Sequence, residues 1–341
     1  MTENVRLKEK VTILGCGRWA TFHAWYQNNI LGNDVVMWGP TWDPIYQNLE
    51  STKTNEYWDM IEPKGMPESI RLTGSMTEAI QHSDTVFVII SAQQVKDLAN
   101  KHLIEKLKEY GRNKTFVMCM KGIDSETNET TSQILRRKLD ENKIGGHTIC
   151  AWVGPGHTQE FFEGLPGMMS IDGEDQEIVN KLIKRFSSDV CVLMTEKDFI
   201  GAELGASAKN VYGIAAGMLD GLRLVNLKGP LMARAIKELK KLIVAMGGKP
   251  ATSSSISHVG DFDATFYSKN SNNRRYGEQF VTGELKEGHK LAEGVETTKA
   301  MMALSKKHDI KMPIVTAVHG ILFEEKDARK TLTDGIRGMT F

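Results

Sequence analysis

Val11-Thr-Ile-Leu14 is a short apolar run, and Gly15-Cys-Gly17-Arg-Trp-Ala20 follows it at once. A helical stretch, Thr21 to Ile30, comes next. Strand, glycine loop and helix in that order form the context a dinucleotide fingerprint requires. Gly15 permits the tight turn, and Gly17 carries no side chain to block a pyrophosphate. Ala20 lets helix and strand pack closely, while the helix N-terminus attracts the anion. An ordinary glycine-rich turn has the same letters, so the rest of the chain has to carry the reading.

Working outward, strand-like runs alternate with helical stretches. Val35–Trp38, Thr85–Ile90, Thr115–Met120, Thr148–Val153, Met168–Ile171 and Val190–Met194 are nearly continuous in apolar character. Such runs fit strands covered on both faces, hence an α/β sheet. After about residue 196 the pattern changes to long helices, over 201–219, 229–246, 273–281 and 295–307. The expected organisation is an α/β domain over residues 1–195 and an all-α domain over 196–341. With no low-complexity linker, the two are expected to pack tightly, with a substrate at their junction.

The 341 residues include 43 Lys plus Arg and 43 Asp plus Glu, so no bulk charge points to nucleic acid or a membrane surface. Cys16, Cys119, Cys150 and Cys191 are widely spaced without a C-x-x-C, which predicts reduced, buried thiols rather than disulfides or a metal site. The histidines are scattered without ligand spacing, and no metal is expected. No apolar run approaches a membrane span and no charged-then-apolar leader opens the chain, so a cytoplasmic protein is expected.

Lys209 lies in Gly201-Ala-Glu-Leu-Gly-Ala-Ser-Ala-Lys-Asn-Val-Tyr-Gly213. Read as a helix, Leu204, Ala208, Val211 and Ala215 form one apolar stripe, and Lys209 points roughly 140° away from it. Its own face is Gly205, Gly213 and Ala216, and no carboxylate lies three or four positions away. Small neighbours let other backbone approach and strip water from the amine. A desolvated lysine loses proton affinity and can act as acid or base near neutral pH. The alternative is a stem that snorkels to solvent.

Together these motifs resemble one family, the NAD(P)-dependent glycerol-3-phosphate dehydrogenases, from about residue 9 to residue 335. Five segments match in order: Gly15–Thr21, Lys121-Gly-Ile-Asp124, Gly154-Pro-Gly156, Glu203–Asn210, and Gly260-Asp261 through Ser271-Asn-Asn-Arg-Arg275. Gly247-Gly-Lys-Pro250, Glu293-Gly-Val295 and Met312-Pro-Ile314 add to them. The resemblance implies a Rossmann-type N-terminal domain, a helical C-terminal domain, and interconversion of dihydroxyacetone phosphate and sn-glycerol 3-phosphate with a nicotinamide cofactor. It makes Lys209 the general acid/base. It implies that Lys121, Gly154, Gly156, Asn210, Asp261, Thr265, Asn272, Asn273 and Arg274 line the substrate site. Gly15, Gly17, Arg18, Trp19, Lys121 and Glu293 would meet the cofactor. A homodimer is compatible with it, and the partner it implies is a small phosphorylated three-carbon molecule.

Bland readings stand beside several of these roles. Lys121 could be a solvated turn residue, Asp261 a helix cap, Glu293 a first-turn acid, Trp19 a core residue, and the Arg274 region a solvated helix start. The chain also departs from the family pattern. Asn272 stands where an arginine is usual, and the neighbouring Arg274 or Arg275 is the candidate replacement. Gly156 and Ala92 stand where serine is common. Trp38-Gly-Pro40 ends the second strand without the acid that would hold an NAD ribose or the arginine that would hold an NADP phosphate. The cofactor expectation leans to NAD, because no cation sits where the extra phosphate would lie, and leaves NADP open. Two other functions fit the same letters. One is a two-domain dehydrogenase of hydroxy or keto acids, and the other is a non-catalytic nucleotide sensor.

Overall fold

A computed structural model describes residues 8–61, 65–111, 113–268, 271–286 and 292–338. The chain forms two compact units. The first comprises Met1–Met120, Ser132–Trp152 and His157–Thr195; the second comprises Lys121–Thr131, Val153–Gly156 and Glu196–Phe341. A boundary at residue 195 would give Lys121–Thr131 and Val153–Gly156 to the first unit. Their contacts give them to the second, a difference that matters for the site below.

The first unit is built on eight strands: β1 (Lys10–Leu14), β2 (Asp34–Trp38), β3 (Ile70–Thr73), β4 (Thr85–Val88), β5 (Thr115–Met118), β6 (Thr148–Val153), β7 (Gly167–Gly173) and β8 (Cys191–Met194). Their order across the sheet is β3-β2-β1-β4-β5-β6-β7-β8. The stretch from β3 to β6 is parallel throughout, with Val11 beside Val35 on one side and Thr85 on the other. Val11, Ile13, Val35, Val36, Val86, Phe87, Phe116 and Val117 are fully buried, which is why these strands read as unbroken apolar runs. Strand order reverses direction between β1 and β4, and the glycine loop leaves β1 at that point. The sequence reading missed β3: Ile70-Arg-Leu-Thr73 is an edge strand whose burial is broken by exposed Arg71. All four cysteines are buried free thiols.

In the second unit, α2 (Phe199–Gly221) is the central helix; α1 (Arg18–Trp25) follows the glycine loop of the first unit. Eighteen of the 23 residues of α2 are buried, among them Leu204, Val211, Ile214 and Met218. A helix apolar nearly all round has to be enclosed, here by α3 (Lys228–Ala245), α4 (Asn272–Thr282), α5 (Glu293–Lys307) and α6 (Pro313–Phe323), while α7 (Ala328–Arg337) packs on α6. Asp198 caps its start, accepting from Gly201 N at 3.1 Å, Lys249 N at 2.7 Å and Thr252 Oγ1 at 2.6 Å.

Glycines set how close the neighbours come. A Cβ on Gly217 would lie 1.8 Å from Arg274 O, and one on Gly294 would lie 2.7 Å from Asn210 O. Helices α4 and α5 therefore touch α2 backbone to backbone, and their first turns are delivered to the stretch around Lys209. Among the described residues, no helix is long and apolar enough to cross a membrane.

Candidate active site

The amine of Lys209 has no partner on its own helix, as the spacing predicts. Its partner comes from 52 residues away in sequence. Lys209 Nζ lies 3.0 Å from Asp261 Oδ2 and donates to Thr265 Oγ1 at 2.8 Å. Thr265 passes its own hydroxyl hydrogen to Asp261 O at 2.8 Å, so its oxygen is free to accept from the lysine. The Lys209 and Asp261 side chains are only 12% and 2% exposed. The short helix Phe262–Phe266 and the turn before it hold Asp261 and Thr265 one turn apart, both aimed at α2.

Lys121 joins from the end of β5. Its Nζ lies 2.7 Å from the same Asp261 Oδ2 and donates to Gly154 O at 2.7 Å. One carboxylate oxygen thus holds two ammonium groups. Asn210 donates to Glu293 Oε2 at 3.4 Å, and Asn273 Oδ1 accepts from Gly294 N at 3.0 Å, which ties the first turns of α4 and α5 together. A Cβ on Gly213, one turn beyond Lys209, would meet Thr265 Cγ2 at 2.5 Å and Asn273 Cβ at 3.5 Å. Lys209, Asn210, Asp261, Thr265, Lys121, Gly154, Asn273 and Glu293 form one cluster.

The electrostatics follow from burial. Loss of water pushes the Lys209 amine down to about 8; Lys121 adds to the fall, while Asp261 and Glu293 oppose it. Burial alone would raise Asp261, but the two lysines outweigh it and hold the carboxyl below its ordinary range. Burial lifts Glu293 to about 7 against the pull of Lys121, Lys209 and Asn210. A lysine that exchanges its proton near neutral pH, beside a permanent anion, is what proton transfer at a carbonyl oxygen needs.

Other expected residues fall elsewhere. Arg274 is engaged by acids: its Nε donates to Asp220 Oδ2 at 2.7 Å and its Nη2 lies 3.4 Å from Glu278. Lys228 shares the same Asp220 at 2.6 Å, so Arg274 belongs to a nearly buried ion cluster that joins α2, α3 and α4. Arg275 is the exposed one, donating to Asn272 Oδ1 at 2.6 Å. Gly156 lies in the Val153–Gly156 segment of the second unit with Gly154. Two residues without an expected role also stand out. Glu203 accepts from Thr130 Oγ1 at 2.8 Å, and buried His258 sets its Nδ1 2.7 Å from Ser253 O. Glu203 opens the matched segment Glu203–Asn210, whereas nothing in the Ser-rich stretch before His258 marks that imidazole.

In the first unit, the glycine loop fits a dinucleotide. Gly15 has φ +135°, and a Cβ there would lie 2.0 Å from Ile89 O. Gly17 is the N-cap of α1 with no side chain to satisfy the first-turn N–H groups, and the space beyond its Cα is open to 4 Å. Those free donors at a helix N-terminus suit a pyrophosphate. The Arg18 guanidinium sits 5.5 Å above the Tyr57 ring. Trp19 stacks on Phe22 at 4.7 Å as part of an aromatic cluster with His23 and Phe161. Past β2, Asp43 caps the helix Pro44–Thr52 through Ile45 N at 2.7 Å, so this acid is engaged as a cap.

Comparison with known proteins places the chain in a family. The family model described as the NAD-dependent glycerol-3-phosphate dehydrogenase N-terminus matches residues 10–179, and the C-terminus model of the same family matches residues 198–333. A Salinibacter ruber protein named glycerol-3-phosphate dehydrogenase (NAD(P)+) 1 is 32% identical over 327 residues, 94% of this chain and 93% of the relative. A Listeria monocytogenes glycerol-3-phosphate dehydrogenase (NAD(P)+) is 33% identical over 335 residues, 95% of each. Among solved structures, glycerol-3-phosphate dehydrogenase from Coxiella burnetii has the same fold, with TM-score 0.84 at 23% identity over 96% of this chain and 98% of that one. A 3-hydroxyisobutyrate dehydrogenase from Mycobacterium tuberculosis reaches only 0.52 at 12% identity, over 98% of this chain and 100% of that one. With both family models matched along nearly its whole length, the chain belongs to the NAD-dependent glycerol-3-phosphate dehydrogenase family.

Proposed function

We propose that Lys209 is the acid–base group with which this NAD(P)-dependent dehydrogenase interconverts dihydroxyacetone phosphate and sn-glycerol 3-phosphate. The observation that carries the assignment is the buried amine itself, 3.0 Å from Asp261 and lowered to about 8. The nicotinamide, when bound, supplies the hydride for ketone reduction and accepts it in reverse. At the C2 oxygen, the Lys209 ammonium donates a hydrogen bond and then its proton as negative charge develops there. In the oxidising direction its neutral amine takes the hydroxyl proton. Asp261 keeps the amine charged enough to hold a proton and orients it. Thr265 fixes its direction by accepting a second N–H.

Lys121, Asn210, Asn272 and Asn273 supply donors for the substrate's hydroxyl and phosphate oxygens. Lys121 is suited to this because two of its three N–H groups are spent on Asp261 and Gly154, which aims the third. Arg275, exposed and hydrogen-bonded to Asn272, is the guanidinium better placed for a phosphate than Arg274, which Asp220 and Glu278 already engage. Gly15, Gly17 and the first turn of α1 would hold the cofactor's pyrophosphate, with Arg18 and Trp19 flanking it. Glu293 is the acid assigned to the nicotinamide end.

Initial rates test the substrate assignment. With NADH or NADPH, dihydroxyacetone phosphate should be turned over while α-keto acids are not; the opposite preference would favour a hydroxyacid dehydrogenase. Nicotinamide binding without turnover of any ketose would favour a sensor. Solution mass would distinguish a monomer from the homodimer that the resemblance allows.

A further inference from the structure

Lys121 follows β5 of the sheet, yet it is held by the helical unit. The 11-residue segment Lys121–Thr131 folds back on itself: Ile123 and Thr130 pair as an antiparallel rung. Asp124 N donates to Glu129 O at 3.0 Å and Asn128 N to Asp124 O at 2.8 Å. Both the N–H and the hydroxyl of Thr127 donate to Asp124 Oδ2 at 2.8 Å. Ile123 is fully buried in the core around α2. A loop so crosslinked moves as one piece, so whatever holds Thr130 also holds Ile123, two residues from the lysine.

What holds Thr130 is Glu203. The Thr130 hydroxyl donates to Glu203 Oε2 at 2.8 Å and that of Thr131 to Oε1 at 3.4 Å, all of it buried. Glu203 sits on α2 six residues before Lys209, about 9 Å along the axis at 1.5 Å per residue. Midway along the segment, Ser125 donates to Glu296 on α5 at 2.5 Å, one turn after Glu293. One helix therefore carries both the proton donor and the anchor for the second ammonium.

We propose that Glu203 is a positioning residue for Lys121, acting through the Thr130 hydroxyl and the Ile123–Thr130 rung to set where that ammonium meets Asp261 and the substrate. This rests on the reading of Lys121 as a substrate ligand beside Lys209. The charged and titratable groups around Lys209 are Asp261, Lys121, Glu293 and His258. If Lys121 is displaced, one cation leaves that set and Asp261 is left to Lys209 alone. Both changes favour the charged amine, so the alkaline fall in ketone reduction moves to higher pH.

The test compares Glu203→Ala, Glu203→Gln, Thr130→Val, Lys121→Met and the Glu203→Ala/Lys121→Met double variant. The readouts are KM for dihydroxyacetone phosphate, kcat, and the pH of the alkaline limb of kcat/KM. Glu203→Ala and Thr130→Val should each raise KM about tenfold, the order of a lost hydrogen bond to a charged group, and shift the limb upward. Glu203→Gln still offers an oxygen and an amide to the two hydroxyls and should stay within about threefold of wild type. The double variant should be no worse than Lys121→Met. If Glu203→Ala does not fold, Thr130→Val, which keeps the shape, carries the same expectation. Lys121→Met raising KM while Thr130→Val and Glu203→Ala leave KM and the limb at wild type would overturn the proposal alone. Lys121→Met leaving KM unchanged would overturn the role of Lys121 as well.

Discussion

Asp261→Asn removes the one anion that two ammonium groups share, and the structure says how far the Lys209 pKa should move. At 3.0 Å the Asp261–Lys209 attraction is about 5.5 kcal/mol with an effective dielectric of about 20. Water and side-chain relaxation recover part of that; if about half survives, the loss is about two pKa units at 1.36 kcal/mol each. Lys209 would fall from about 8 to roughly 6. At pH 7 its charged fraction drops from about nine-tenths to about one-tenth, so ketone reduction slows about tenfold from protonation alone. The assay is kcat/KM for dihydroxyacetone phosphate with NADH from pH 5 to 9.5. The alkaline limb should move down from near 8 to near 6, with rate recovered at the acid end. Oxidation of glycerol 3-phosphate needs the neutral amine, so its rising limb should move down too. A variant that loses both directions at every pH, with its limbs where wild type has them, would refute the assignment of Asp261 as the group that tunes Lys209.

Two further expectations separate binding from folding. Gly15→Ala puts a Cβ 2.0 Å from Ile89 O at φ +135° and should destabilise the first unit by at least about 2 kcal/mol in urea unfolding. Gly17→Ala meets nothing within 4 Å, so it should fold normally and weaken NADH binding about tenfold or more in a fluorescence titration; the reverse pattern would contradict the loop's role. Glu238 concerns stability. It is buried, caps α6 through Ile314 N and Val315 N, and burial lifts it from 4.5 to about 7. A raised folded-state pKa means its contribution is complete below pH 4.5 and is lost as pH rises through about 7. Glu238→Gln should gain about 2–3 kcal/mol relative to wild type between pH 5 and pH 8, at 1.36 kcal/mol per unit. A difference that stays flat across that window would show the carboxyl to be ionised throughout.

Much of the fold was legible because it is locally encoded. Apolar runs marked the inner strands, and the glycine loop marked the switch between β1 and β4. The helical period marked α2 and the isolation of Lys209 upon it. The helix expected over Thr21–Ile30 starts at Arg18, since Gly17 caps it, and ends in a wider π-helical turn over Tyr26–Ile30. What was not legible depends on distant partners. Nothing local to Lys121 shows that it will share a carboxylate 140 residues away, or that its segment will join the helical unit. Arg274 and Arg275 are adjacent and chemically alike. Only tertiary packing shows that one is consumed by Asp220 and that the other reaches Asn272. The matched segment Glu203–Asn210 includes Glu203, but nothing local shows that it will accept from two threonine hydroxyls more than 70 residues earlier.

The most direct measurement is kcat for dihydroxyacetone phosphate reduction by Lys209→Ala at pH 7, alongside the affinity of the same variant for NADH. Loss of a positioned acid–base group should lower kcat by about two to four orders of magnitude, while NADH binds within about threefold of wild type. A fall of less than tenfold would mean that the proton reaches the C2 oxygen from another source.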